Sequence, residues 1–128
     1  MYRHPTPTLT CVSTQIVDEQ PTAAEFAAAA EVLKLMADDT RLRIIWALLH
    51  GEHSVNDLAE HVGAQPAAVS QHLAKLRLAQ LVKRRREGNR LFYAAENEHI
   101  ERLAHEALLQ ADHLVAGATH HRAASQTA

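Results

Sequence analysis

Gln65-Pro66-Ala67-Ala68-Val69-Ser70-Gln71-His72-Leu73-Ala74-Lys75-Leu76-Arg77 leads, after a short gap, into Leu81-Val82-Lys83-Arg84-Arg85-Arg86-Glu87-Gly88-Asn89-Arg90-Leu91-Phe92-Tyr93. In the first stretch Val69, Leu73 and Leu76 recur at i, i+4 and i+7, so they lie on one side of a helix and face a core. Pro66 suits the first turn of that helix, which runs to about residue 79. In the second stretch the period changes. Two short β-prone runs flank Glu87-Gly88-Asn89, which reads as a hairpin. Upstream, Ser54 caps a short helix over 55–61 that Gly63 breaks. A short helix, a glycine turn, a second helix and a basic hairpin together predict a winged helix-turn-helix.

The elements outside this pair complete a mainly α fold with one small β-hairpin wing. Thr22 with Glu25 forms a capping box for a helix over 23–37, rich in Ala, Leu, Glu and Met. Asp38 or Asp39 caps the next helix, which runs to about His50 before Gly51, with Leu42, Ile45, Leu48 and Leu49 as its buried stripe. A last helix starts near Asn97 and continues to about Ala116. Its stripe of Ile100, Leu103, Ala107, Leu108, Ala111, Leu114 and Val115 suits pairing with a second copy, so the fold is expected to dimerise through its terminal helices. Residues 1–22, with Pro5, Pro7 and Pro21, read as a flexible arm; 23–117 as the DNA-binding and dimerisation domain; and 118–128 as a flexible histidine-containing tail.

Composition narrows the function. The 128 residues are 47% hydrophobic, enough for one folded domain, and no apolar run approaches the roughly 20 residues that cross a bilayer. The start of the chain lacks a secretory plan, so a cytoplasmic protein is expected. The single cysteine, Cys11, forms no internal disulfide. Net charge is −2, yet seven of the 13 Lys and Arg residues lie between positions 75 and 90, and Glu87 is the only acid between Gly63 and Ala95. Such a basic zone is the footprint of a phosphate-binding surface.

The expected DNA-facing set is Gln65, Ala67, Ser70, Gln71, His72 and Lys75 on the second helix, with Arg84, Arg85, Arg86, Asn89 and Arg90 in the wing. Small residues let the helix approach the major groove, Ser and Gln suit base edges, and the cations suit phosphate or the minor groove. His72 reads either as a DNA contact or as a structural histidine beside Leu73. No Gly-rich phosphate loop, Ser-His-Asp set or His-Glu-x-x-His helix is present, so no enzyme is expected.

Leu33-Lys34-Leu35-Met36-Ala37-Asp38-Asp39-Thr40-Arg41-Leu42-Arg43-Ile44, Ser70-Gln71-His72-Leu73-Ala74-Lys75-Leu76 and Gly88-Asn89-Arg90-Leu91-Phe92-Tyr93 together resemble the ArsR/SmtB metalloregulators over about residues 25–115. The resemblance implies a homodimeric repressor of double-stranded operator DNA whose affinity falls when metal binds. It implies that Ser70, Gln71 and His72 lie at the DNA face and Arg90 in the wing.

Ten histidines are many for this length. His99, Glu106 and His113 recur every seven residues on nearly one side of the last helix, but His99 and His113 are roughly 21 Å apart along it. One chain cannot bring them to one ion, whereas an antiparallel pair crossing near Glu106 brings His99 of each chain toward His113 of the other. The family's helical metal site maps onto Asn97, His99, Gln110 and His113, so an amide stands at two of its four positions. Asp112, His120 and His121 are the replacement donors, and the pattern resembles the nickel- and cobalt-sensing subgroup. The expected ligands are thus His99, Asp112, His113, His120 and His121, and His4 is an outside candidate. An N/O shell of this size favours Ni(II) or Co(II), with Zn(II) also accommodated. No cysteine lies in 54–60, which argues against thiolate sensing of soft ions. The alternatives are a repressor of the same fold without metal sensing, constitutive or redox-responsive through Cys11, and a protein-binding dimer module.

Overall fold

The computed structural model describes residues 19–127, with side chains to Ala118; Cys11 and His4 lie outside the described residues. Seven elements follow in order: α1 (Ala23–Met36), α2 (Asp39–Leu48), α3 (Val55–Val62), α4 (Pro66–Leu78), β1 (Val82–Glu87), β2 (Arg90–Ala95) and α5 (Glu98–Thr127). The described residues fall into two compact units that divide between Leu33 and Lys34.

In the first unit, α1 opens with the expected capping box. The Thr22 N–H donates to Glu25 Oε1 at 2.8 Å and the Glu25 N–H to Thr22 Oγ1 at 3.1 Å. Phe26 and Leu33 are exposed.

The second unit is built on α2, α3 and α4. Asp38 caps α2 by accepting from the Arg41 N–H at 3.1 Å, and Ser54 caps α3 by accepting from the Asp57 N–H at 3.2 Å. Ile44 and Ile45 of α2, Leu58 of α3, and Val69, Leu73 and Leu76 of α4 are fully enclosed. They seat α3 against α2, and α4 against α3 and β1. Gly63 ends α3 at φ 68°, where a side chain is strained. The buried face of α2 is turned from the expected one: Ile44, Ile45, Ala47 and Leu48 are buried, whereas Leu42 and Leu49 are half-buried. Leu42 instead lines an open groove of about 1140 Å³ along α2, together with Trp46, His50 and Leu108.

The wing is a two-stranded antiparallel hairpin in which Glu87 pairs with Arg90 across the Gly88-Asn89 turn. Gly88 has φ 65°, as a glycine leading a two-residue loop requires. His53 extends the hairpin base: its N–H donates to the Tyr93 carbonyl at 3.1 Å and its carbonyl accepts from the Tyr93 N–H at 2.8 Å. Alternation places Val82, Arg84, Arg86, Leu91, Tyr93 and Ala95 on one face and Lys83, Arg85, Glu87, Arg90 and Phe92 on the other. The first face is anchored by buried Val82, Tyr93 and Ala95.

The last helix continues through Gly117 to Thr127 instead of ending near Ala116. One glycine costs about 1 kcal/mol within a helix, which does not stop a run flanked by Ala116 and Ala118. Ile100 and Ala104 alone among its described residues are buried; Leu103, Leu108, Leu109, Leu114 and Val115 are exposed.

Helix α4 ends in a Schellman arrangement without glycine. The Leu81 N–H donates to the Leu76 carbonyl at 2.9 Å and the Gln80 N–H to the Arg77 carbonyl at 3.0 Å, with Gln80 left-handed at φ 64°. We expect Gln80→Gly to raise unfolding stability by about 0.5–1 kcal/mol, because glycine adopts this conformation without the Cβ penalty. Chemical denaturation checks this, and an unchanged or lower midpoint contradicts it.

Candidate nucleic-acid interface

Helix α4 exposes Gln65 at its N-cap and then Ala67, Ser70, Gln71, Ala74 and Lys75, opposite the enclosed Val69, Leu73 and Leu76. Gln65 makes no side-chain cap bond, and no acid lies in the first turn of α4. The N-terminal end of α4, with its partial positive charge, therefore carries small and polar side chains only. Among the described residues, neither Lys75 nor the wing's Arg84, Arg86 and Arg90 has a carboxylate within ion-pair distance. An uncompensated cation beside a polar helix face is suited to phosphate.

Two of the expected residues are placed differently from a free DNA-facing side chain. Arg85 donates through Nε to both oxygens of Glu52, at 3.0 and 2.8 Å, and through Nη1 to Glu87 at 2.7 Å. Its guanidinium also lies over the Phe92 ring, 4.9 Å from the centroid, and Arg90 lies over the same ring at 5.2 Å. Arg85 thus ties the wing to the loop between α2 and α3. Hydrogen bonding from Arg85 holds the Glu52 carboxyl below the usual carboxylate range, and the two carboxylates raise the Arg85 pKa in turn. His72 is half-buried on the flank of α4, where Nδ1 accepts from Arg41 Nε at 3.3 Å. Asn89 is exposed in the hairpin turn. Neither Glu52 nor Arg41 is marked out as a partner by local spacing, since each lies more than 30 positions from the residue it holds, with |i−j| of 33 and 31.

The metal-donor candidates lie along α5. His99, Asp112 and His113 are exposed, and the side chains of His120 and His121 lie outside the described residues. Asn97 uses Oδ1 to cap α5, accepting from the His99 N–H at 3.0 Å and the Ile100 N–H at 3.2 Å, so this oxygen is occupied. The His53 and His61 rings meet edge-to-face at 4.9 Å, and His53 Nδ1 lies 4.0 Å from Asp57. Among the described residues of one protomer, no three His, Cys, Asp or Glu side chains gather around an ion-sized point.

Comparison with known proteins fixes the context. Residues 38–84 match the family described as bacterial regulatory protein, arsR family. The chain is 50% identical over 95 residues to the HTH-type transcriptional regulator KmtR of Mycobacterium tuberculosis, covering 73% of each chain. The chain belongs to the ArsR family. A second relative in the family, the M. tuberculosis regulator NmtR, is 36% identical over 91 residues, 71% of this chain and 76% of its own. Among solved structures, the homodimeric winged helix-turn-helix DNA-binding domain Mb0332 from Mycobacterium bovis superposes with a TM-score of 0.67 at 32% identity, covering 77% of this chain and 93% of that one. This ArsR-family chain is therefore a winged helix-turn-helix transcriptional regulator and not an enzyme. Among its described residues no helix is long and apolar enough to cross a membrane.

The Glu52–Arg85 tie has a pH signature. Because the folded carboxyl titrates below its ordinary value of 4.5, the tie is complete above that value and is lost only as pH falls through the lower folded value. The Arg85 Nε–H resonance is expected to hold its position from pH 7 to 4.5 and move only in stronger acid, and Glu52→Gln is expected to abolish that movement. A transition above pH 4.5 contradicts the assignment.

Proposed function

We propose that this chain is a cytoplasmic repressor that binds operator DNA as a homodimer and is released when Ni(II) or Co(II) binds, with Zn(II) a weaker effector. The observation that carries the DNA reading is the pairing of one exposed polar helix face with an adjacent hairpin whose arginines, other than Arg85, have no carboxylate within ion-pair distance among the described residues. On this reading Ala67, Ser70 and Gln71 face base edges at the front of α4, Gln65 lies at its head, and Lys75, Arg84, Arg86, Asn89 and Arg90 lie along phosphates or the minor groove. The counterion release these cations drive makes affinity fall steeply with salt.

Support for the dimer comes from α5, whose Leu103, Leu108, Leu109 and Leu114 are exposed among the described residues, and from the homodimeric relative of matching fold. Two α5 helices running antiparallel cover this stripe on each other. That pairing also supplies what one protomer lacks. His99 of one protomer approaches Asp112 and His113 of its partner, and His120 and His121 follow on the same helix. Neutral imidazoles and a carboxylate suit Ni(II) and Co(II), and an ion shared by two protomers favours one relative orientation of the reading helices over another. Asn97, engaged as a cap, supports a ligand set that begins at His99.

A titration at fixed salt tests this reading. The metal-free protein is expected to bind a duplex it has selected from a random-sequence pool, and Ni(II) or Co(II) to weaken that binding on the order of ten- to a hundredfold. His99→Ala with His113→Ala is expected to abolish the metal response while leaving metal-free binding intact. Release that persists unchanged in the double variant contradicts the metal site, and failure to select any duplex contradicts the DNA reading.

A further inference from the structure

We propose that Arg41 and His72 form a positioning pair that fixes the rotation of α4 about its own axis, so that His72 serves DNA reading through Arg41 and not by touching DNA. This rests on the DNA reading above and adds to it a residue pair outside the DNA-facing surface.

Three observations carry it. Arg41 of α2 donates through Nε to His72 Nδ1 at 3.3 Å and through Nη1 to the Leu35 carbonyl at 2.9 Å. Leu35 lies in the last turn of α1, where carbonyls have no helical partner, so the guanidinium satisfies an open acceptor while it holds the imidazole. The Arg41 backbone is itself fixed, because its N–H is the one that Asp38 caps. One residue thus joins the end of α1, the start of α2 and the flank of α4.

The stripe that seats α4 is Val69, Leu73 and Leu76, all apolar and all enclosed. Apolar contact resists removal to water but is not directional, so it restrains roll about the helix axis weakly. A hydrogen bond is directional, and His72 stands about 100° round the helix from Leu73, where a fixed point resists roll best. Ser70 and Gln71 gain a defined azimuth from it. The bond also fixes the tautomer: with Nδ1 accepting from a guanidinium that always carries its protons, the imidazole proton sits on Nε2.

The two ring nitrogens are separable by substitution. Asparagine carries its Oδ1 at the same number of bonds from Cα as Nδ1, so His72→Asn keeps the acceptor for Arg41 and lacks anything at the Nε2 position. His72→Gln places its amide at the reach of Nε2 and has no acceptor at Nδ1. The wild-type protein first selects a duplex from a random-sequence pool, and failure there defeats the DNA reading and not this inference in particular. Each variant is then measured on the selected duplex and on a scrambled duplex of equal length, over a range of salt, with thermal unfolding followed in parallel. We expect His72→Asn to discriminate between the two duplexes at least about tenfold better than His72→Gln, a difference of the size one charged hydrogen bond supplies. The slope of affinity against salt is expected to be the same in both variants, because no phosphate contact is removed. Arg41→Lys, which lacks the fork that spans two acceptors, is expected to behave as His72→Gln does. Discrimination retained by Gln and lost by Asn overturns the proposal in favour of a direct Nε2 contact. Equal discrimination by Asn and Gln, or loss that tracks the melting temperature alone, overturns it as well.

Discussion

The last helix carries more apolar surface than the other described residues cover. Ile100 and Ala104 bury themselves where α5 rests on the body, whereas Leu103, Leu108, Leu109 and Leu114 are exposed. Burying one such side chain fully is worth about 1.5–3 kcal/mol, so a row of them left in water is a large unmet driving force. Helix α5 spans 30 residues, roughly 45 Å, and its exposed part is long enough to accept a second helix along its length. In the proposed function a second copy meets this demand, and the same contact is expected to set the distance between two reading helices and to bring together histidines that one chain keeps apart.

In the wing the constraint is electrostatic. The wing concentrates Lys83, Arg84, Arg85 and Arg86 on one strand, and like charges at that density repel. The fold sorts them. Arg85 is turned to Glu52 and Glu87 and becomes part of the frame, while Arg84 and Arg86 stand on the opposite face of the hairpin. The Tyr93–His53 backbone pair and the Arg85–Glu52 bond fasten the wing to the same loop at two points. The hairpin is therefore a held element and not a free flap, which lowers the ordering cost of placing cations on a duplex.

Much of this was legible in the sequence because it is local. The Thr22–Glu25 box, the Asp38 and Ser54 caps, the Gly63 stop and the Val69-Leu73-Leu76 stripe depend on residues within a turn or two of one another, and each occurs where spacing put it. The family likeness rested on motifs in the same region and agrees with the match over residues 38–84. What spacing could not reach is tertiary. Leu42 and Ile44 are both apolar, and only tertiary packing encloses Ile44 and leaves Leu42 lining the groove beside Trp46. Arg85 looked like one of four equivalent cations until Glu52 was brought beside it. His72 carried two readings, and the Arg41 bond separates its two nitrogens in a way no local pattern encodes. Spacing ends the last helix near Ala116, but φ at Gly117 is not left-handed and the helix passes through it.

The solution mass of the metal-free protein is the most direct test of the paired α5 helices on which the account rests. Light scattering across the micromolar range is expected to give twice the chain mass of 14.1 kDa. It is also expected to give the single chain mass when Leu109 and Leu114 are both changed to Glu, with the melting of the helix-turn-helix core preserved. A protein that remains at 14.1 kDa at concentrations where it binds DNA contradicts the account.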